Sequence, residues 1–344
     1  MKKFIFALSF VLLAVPVVFS QTVTTLSDEF NGSGGIAVDA EGNIYVADFG
    51  QFLNNANGTQ VWKITPDGVR TEFATGLQGA SGNTFGPDGN LYQSNIAGNR
   101  ISIITPDGQV STLEDTLAAA PVGLDFDSKG NLFIANCGNR SIRKVSPEGE
   151  STLLVRNNLL FCPNGLAVDD EDNVYAGTFN GGRVLKVTPD GTLTILATVP
   201  GGAIGHLTFA NGRLYVVARN DHSVYELTLD GELTKIAGSG EQGNADGPAL
   251  EASFSLPNGI AASPDGTKLY INSKVNVNPN DPSLNPVLVR VIHLESATES
   301  EAQTNQPTLT FPTLSLEAPS SSLSLEDELG LVACAVACLS GKLN

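Results

Sequence analysis

One fourteen-residue unit, Gly-Ile-Ala-Val-Asp-Ala-Glu-Gly-Asn-Ile-Tyr-Val-Ala-Asp at residues 35–48, recurs along the chain. Copies occupy residues 82–95, 123–136, 165–178, 205–218 and, with one residue inserted, 259–273. Each is an apolar strand, a polar turn and a second apolar strand, so each reads as a β-hairpin. The aromatic marks Tyr45, Tyr92, Phe133, Tyr175, Tyr215 and Tyr270 lie 47, 41, 42, 40 and 55 residues apart. That period accommodates four short strands and is the spacing of radial β-repeats.

A third strand follows every hairpin (residues 61–64 in the first copy), and a fourth follows five of the six (residues 71–74 in the first). The sixth copy has its third strand at residues 287–294 but no fourth strand after it. The missing strand stands at the other end of the chain, as Thr-Val-Thr-Thr-Leu-Ser at residues 22–27. Pairing the two ends closes the ring and removes the free edges of an open sheet. The expected fold is all-β: a six-bladed β-propeller over residues 21–297, with the N-terminal strand completing the last blade. The 36 glycines and 18 prolines agree with short elements joined by turns and leave no long helices.

The segments outside the ring read differently. Residues 1–20 carry Lys2 and Lys3, an apolar run and a small residue, Ser20, before Gln21. This is the pattern of a secretory signal peptide, too short and poorly flanked for a stable membrane span. It places the mature chain outside the cytoplasm, secreted or periplasmic, with no transmembrane span after cleavage. Residues 298–324, rich in Ser, Thr, Pro and Glu, read as a flexible linker. Residues 325–344 form a short apolar, helix-compatible segment containing Cys334 and Cys338. Its role is left open, as are the oligomeric state and a reading in which the tail serves surface assembly.

With 19 Lys+Arg against 36 Asp+Glu, the net charge of −17 excludes a phosphate-tracking nucleic-acid binder and disfavours anionic membrane surfaces. Cys137 follows the second strand of blade three, and Cys162 precedes the first strand of blade four. Both loops open on one face of neighbouring blades, so an exported chain is expected to join them as a disulfide. The acidic run at residues 169–172 falls in a hairpin turn on the opposite face and reads as solvated.

The hairpin unit of residues 35–48 and Asn-Ile-Ala-Gly-Asn-Arg at residues 95–100 resemble NHL repeats. The stretch from Ala-Gly-Ser-Gly at residues 237–240 to Phe-Ser-Leu-Pro-Asn-Gly at residues 254–259 is similar to the long connection of exported NHL proteins. The resemblance covers the ring but not the tail. It implies the superfamily of gluconolactonases, regucalcin and strictosidine-synthase-like proteins, which specifies a fold more closely than an activity.

In such a ring the channel opens between the second-strand ends and the first-strand starts. The first set contributes Asp48, Asn95, Asn136, Thr178, Arg219 and Ser273, and the second Asn83, Asn164, His206 and Asn258. Amide side chains suit a polar ligand or a hard cation, and equally serve to satisfy turn backbone. His206, Arg219 and His222, all in blade five, are expected on one face as a cationic cluster for a carboxylate or phosphate. The resemblance to gluconolactonases implies a divalent cation (Ca, Mg, Mn or Zn) held by a Glu, an Asn and an Asp near inner-strand starts. Asn164 matches the Asn, whereas Gly34 and Ile204 stand where the carboxylates are expected, with Asp48 as a substitute from nearby. The favoured expectation is an exported recognition scaffold that binds a small polar or anionic molecule, or a protein partner, at the channel mouth. The alternative is a metal-dependent lactone or ester hydrolase.

Overall fold

The computed structural model describes residues 21–294; the signal-peptide reading, the linker and the apolar tail with Cys334 and Cys338 lie outside the described residues. Five four-stranded antiparallel sheets and one five-stranded sheet succeed one another around a ring. The innermost strands are Ile36–Val38, Ala80–Phe85, Pro121–Phe126, Pro163–Val168, Ile204–Ala210 and Ile260–Ala262. Each neighbours the next, and the last neighbours the first, so the ring is closed. The described helical segments are two single turns, Pro200–Gly202 and Arg219–Asp221.

Closure occurs as the strand deficit of the sixth repeat requires. Thr22–Thr25 pairs antiparallel with Val287–His293, with Val23 opposite Ile292. A two-residue strand, Gly247–Pro248, adds on the outer side of Thr22–Thr25, an element the repeat pattern does not contain. It belongs to the long connection after blade five, whose Phe254 is fully buried between blades five and six with Val23, Tyr215 and Ile271. The connection is therefore part of the core.

The repeat glycine is explained by the packing of one blade on the next. A Cβ on Gly82 would lie 2.3 Å from the Val122 carbonyl oxygen, and one on Gly205 would lie 2.4 Å from that of Asn258. Backbone hydrogen bonds also cross blade seams, from Gly35 N to Ser81 O between blades one and two and from His206 N to Asn258 O between blades five and six, both 2.7 Å. Only a residue without a side chain lets neighbouring inner strands approach this closely.

The hairpin turns have a common construction. Asp39 accepts from the Asn43 N–H at 2.7 Å and from the Tyr45 hydroxyl at 3.0 Å, and Asp169 treats Asn173 and Tyr175 in the same way. The acidic run at residues 169–172 is thus not simply solvated. Asp169 and Asp172 are buried, one capping its own turn and the other accepting from the Ser128 N–H and Lys129 of blade three. Cys137 and Cys162 form a disulfide across the blade three to blade four seam, with their Cα atoms 3.9 Å apart. Its 25-residue separation corresponds to about 3.5 kcal/mol of lost unfolded-state entropy in the loop-closure model.

Candidate functional site

On the face where second strands end, the channel opens into a cavity of about 190 Å³. Asn164, Arg219 and Asn258 line it, together with Ser33, Ser81, the Cys137–Cys162 bridge and the apolar Phe49, Leu53, Ile96, Val122, Phe179 and Leu284. Four of these residues, Leu53, Phe179, Arg219 and Leu284, also line an adjoining groove of about 750 Å³ that continues past Phe52, Leu256 and Pro282. The groove keeps Leu53 more than half exposed.

Three non-repeating loops build this mouth. The loop after the second strand of blade one brings Phe49 and Leu53. Residues 275–286 of blade six bring Leu284, whose N–H donates to Gln51 O at 2.8 Å and so ties the two loops together. Lys274, buried under the second of these loops, donates to the Asp281 carbonyl at 2.7 Å and lies 3.3 Å from the Asp281 carboxylate. Phe179 is held by its N–H to Cys162 O at 3.0 Å, so the disulfide loop positions an aromatic wall.

Arg219 is the cation of the mouth, while Asp281, paired with the buried Lys274, lines the adjoining groove. Arg219 begins the single turn after the second strand of blade five, is 6% exposed and donates from Nη1 to Leu256 O at 3.0 Å. Among the described residues no carboxylate pairs with it. Burial lowers its guanidinium to about 10, which leaves it fully charged at neutral pH. A buried cation with spare donors facing an accessible cavity is the arrangement that receives an anionic group. Asn164 and Asn258 frame it. Their Nδ2 atoms bridge to the next blade, at 2.7 Å to Gly205 O and 2.9 Å to Ser33 O.

The other sequence candidates lie elsewhere. Asn95 and Asn136 are fully buried and accept from Gln78 N and Ala119 N, each stapling the end of its hairpin to the loop that precedes it, 17 positions earlier. Thr178 accepts from Arg183 N. Asp48 accepts from Gly50 N and from Asn285 Nδ2 at 2.9 Å; burial raises its carboxyl against those two bonds, and it anchors the loop carrying Leu284. His222 accepts the Leu256 N–H at Nδ1, so Leu256 lies between it and Arg219. His206 does not join them. It lines a separate cavity with Asn83 and Asp125, reached from the hairpin-turn face. Burial lowers the His206 imidazole to about 4 and raises the Asp125 carboxyl to about 6.

Sequence reasoning missed the apolar rim and Asp125. The rim comes from loops without repeat register, so no period marks it. Asp125 had a signal, since it is a carboxylate within the apolar Val-Gly-Leu-Asp-Phe of an inner strand.

The metal implied by the gluconolactonase resemblance does not fit these residues. A side chain at Gly34 would meet Ala80 O at 2.5 Å, and Ile204 is fully buried in the seam with Leu207 and Val216. Asp48 is turned to Asn285, and the Asn164 amide nitrogen is held by Gly205. Among the described residues no three His, Cys, Asp or Glu side chains converge. Among the described residues no carboxylate lines the mouth cavity, and Asp281 of the adjoining groove is paired with Lys274, so the carboxylates a hard cation requires do not converge here.

No protein-family model matches the chain, and no curated protein matches it in sequence. Solved structures match it in fold. A gluconolactonase from Xanthomonas campestris aligns at 17% identity and a TM-score of 0.61, over 80% of this chain and 90% of that one. An auxiliary nutrient binding protein from Bacteroides thetaiotaomicron aligns at 16% and 0.64, over 80% and 77%. The virginiamycin B lyase of Staphylococcus aureus aligns at 17% and 0.55, over 80% and 99%. Proteins of such different activities share one scaffold, so the likeness carries architecture and leaves activity to the site. The chain is a six-bladed β-propeller of the fold shared by these gluconolactonase, lyase and nutrient-binding structures.

Proposed function

We propose that the protein is an exported recognition scaffold that binds a small organic anion at the channel mouth, with the anionic group on Arg219 and the body of the ligand against the apolar rim. The observation that carries this reading is Arg219 itself, a buried guanidinium without a carboxylate partner among the described residues, lining the mouth and the groove together. Phe179, Leu53 and Leu284 supply contact area, and Asn164 and Asn258 hold the blade seams that border the cavity. One structural neighbour, a nutrient binding protein, accords with a binding role. Outside the cytoplasm the Cys137–Cys162 bridge persists, and no described helix is long and apolar enough to cross a membrane.

Calorimetry of the chain with aromatic and aliphatic carboxylates and sugar phosphates tests the reading. Charge-assisted bonds of this kind contribute about 1.5–3 kcal/mol, so Arg219→Gln should weaken the best binder about tenfold to a hundredfold. A panel with no binder, or a variant that binds as tightly as wild type, overturns it.

A further inference from the structure

Arg219 is aimed by Leu256, and Leu256 is aimed by His222. The Leu256 carbonyl accepts from Arg219 Nη1 at 3.0 Å, and the Leu256 N–H donates to His222 Nδ1 at 3.2 Å. Leu256 sits at φ +45° immediately before Pro257. The left-handed region is unfavourable for an L-residue with a side chain, and a following proline presses the backbone towards the extended region instead. Such a conformation persists only where its surroundings hold it.

The same device recurs around the ring with different chemistry. Three positions before the repeat glycines Gly123, Gly165 and Gly259, a residue of positive φ precedes a proline: Ala120, Cys162 and Leu256. The preceding blade fixes each one. Asn99 Oδ1 takes the Ala120 N–H at 2.7 Å, Cys137 holds Cys162 through the disulfide, and His222 takes the Leu256 N–H. Asn99 and His222 occupy the same place in their repeats, four residues past Asn95 and Ala218, which end the second strands, and have φ of +50° and +53°. Of the three anchors, the one that can change its charge at mildly acidic pH is the one behind Arg219.

A backbone N–H only donates, so His222 Nδ1 is an acceptor and the neutral imidazole carries its proton on Nε2. A proton added at Nδ1 sets two N–H groups against each other and removes the anchor. Burial, first, and the Arg219 charge hold the imidazole below its ordinary 6.5, against Asp221 and Glu241, which favour the cation; Lys235 pairs with Asp221 at 3.1 Å. The imidazole is therefore neutral at pH 7 and gains its proton on acidification.

We propose that His222 is the positioning residue of the anion site and its acid switch: neutral, it holds Leu256 and through it Arg219; protonated, it frees Leu256 from its left-handed conformation and the site releases its anion. The switch presupposes anion binding at Arg219. An imidazolium acting through its charge alone would do the reverse and tighten an anion, so the sign of the pH response separates positioning from attraction.

The test is calorimetric titration of the mature chain with toluene-4-sulfonate, which is fully anionic at both pH 7.5 and pH 4.5, together with NMR of the free protein. Wild type should lose about fivefold to tenfold in affinity at the lower pH, the worth of one hydrogen bond. His222→Asn installs the uncharged anchor that Asn99 provides in blade two, and should keep the binding while removing its pH dependence. His222→Ala should bind weakly at both pH values. Without ligand, the Leu256 amide resonance should move with the His222 titration, and that of Ala120 should not. Binding that depends on Arg219 but is level or tighter at pH 4.5, an equal loss in His222→Asn, or wild-type affinity in His222→Ala at pH 7.5 overturns the switch and leaves the anion site standing. Absence of Arg219-dependent sulfonate binding at pH 7.5 overturns the anion reading and the switch together.

Discussion

Asp246 accepts from Arg290 Nη2 at 2.7 Å, and the same carboxylate takes the N–H and the hydroxyl of Thr25, each at 3.0 Å. One acidic side chain from the long connection thus fastens both strands of the ring closure. Arg290 is fully buried, its guanidinium 5.3 Å from the Phe254 ring centroid, and Nη1 and Nη2 also donate to Ser253 O and Ala245 O. Removing Asp246 leaves a buried cation without its counter-charge. Asp246→Ala should lose about 3 kcal/mol of stability, measured by urea unfolding. Amide exchange should quicken first in Thr22–Thr25 and Val287–His293. The double variant with Arg290→Met should recover most of the loss; a double variant no better than the single would show that the charge pair is not what holds the closure.

The seam glycines give a second contrast. Gly82→Ala drives a Cβ to 2.3 Å from the Val122 carbonyl oxygen, where two backbones must separate. Gly89, in a hairpin turn at φ +78°, has open space around it, so Gly89→Ala meets only the cost of a left-handed alanine. The expected losses are about 3 kcal/mol for the first and about 1 kcal/mol for the second. Equal thermal midpoints for the two variants would refute the close-packed seam.

These two cases show why the fold was legible in the sequence and the site was not. The repeat glycine, the Asp-to-Tyr turn and the strand count each follow from a local requirement that every blade shares, so they recur and can be counted. The disulfide was legible for the same reason, since blade register places Cys137 and Cys162 on one face. Which amide faces the channel is not a local matter. Asn95 and Asn136 occupy second-strand ends like Asp48, yet they fold back on Gln78 and Ala119 because their own preceding loops present free N–H groups. His206 and Arg219 belong to one blade, but an inner strand runs the depth of the ring, and His206 lines the cavity on the other side. The mouth was hidden because Phe179, Leu53 and Leu284 sit in loops that differ from blade to blade.

His206 and Asp125 should act on stability with opposite signs as pH changes. The folded His206 imidazole titrates at about 4 against 6.5 when free. Its neutral burial therefore stabilises the fold fully above 6.5, and this is lost as pH falls towards 4. The folded Asp125 carboxyl titrates at about 6 against 3.8. Its contribution is full below 3.8 and is lost as pH rises to about 6. Between pH 6 and 4 the two nearly cancel. On acidification from pH 7 to 4.5, His206→Leu should gain about 2 kcal/mol relative to wild type and Asp125→Asn should lose about 2 kcal/mol. Urea midpoints at the two pH values measure this, and parallel behaviour of the two variants would remove the assigned titrations.

Asn164 distinguishes a structural amide from a metal ligand. Its Nδ2 bridges blade four to blade five through Gly205 O at 2.7 Å and Ile204 O at 3.3 Å, and no carboxylate stands at Gly34 or Ile204 to share a cation with it. Asn164→Ala should therefore cost about 1–2 kcal/mol by leaving carbonyl oxygens of the seam unpaired, and should change nothing else at the mouth. Calorimetric titration with Ca²⁺, Mg²⁺, Mn²⁺ and Zn²⁺ should give the same isotherms for variant and wild type. Binding to Arg219 should survive as well, because the guanidinium is positioned by Leu256 O rather than by Asn164. A tight, stoichiometric cation site in the wild type that disappears in Asn164→Ala would instead mean that the mouth recruits ligands other than the residues its geometry brings together. Hydrolysis of lactones and esters would then become the activity to assay.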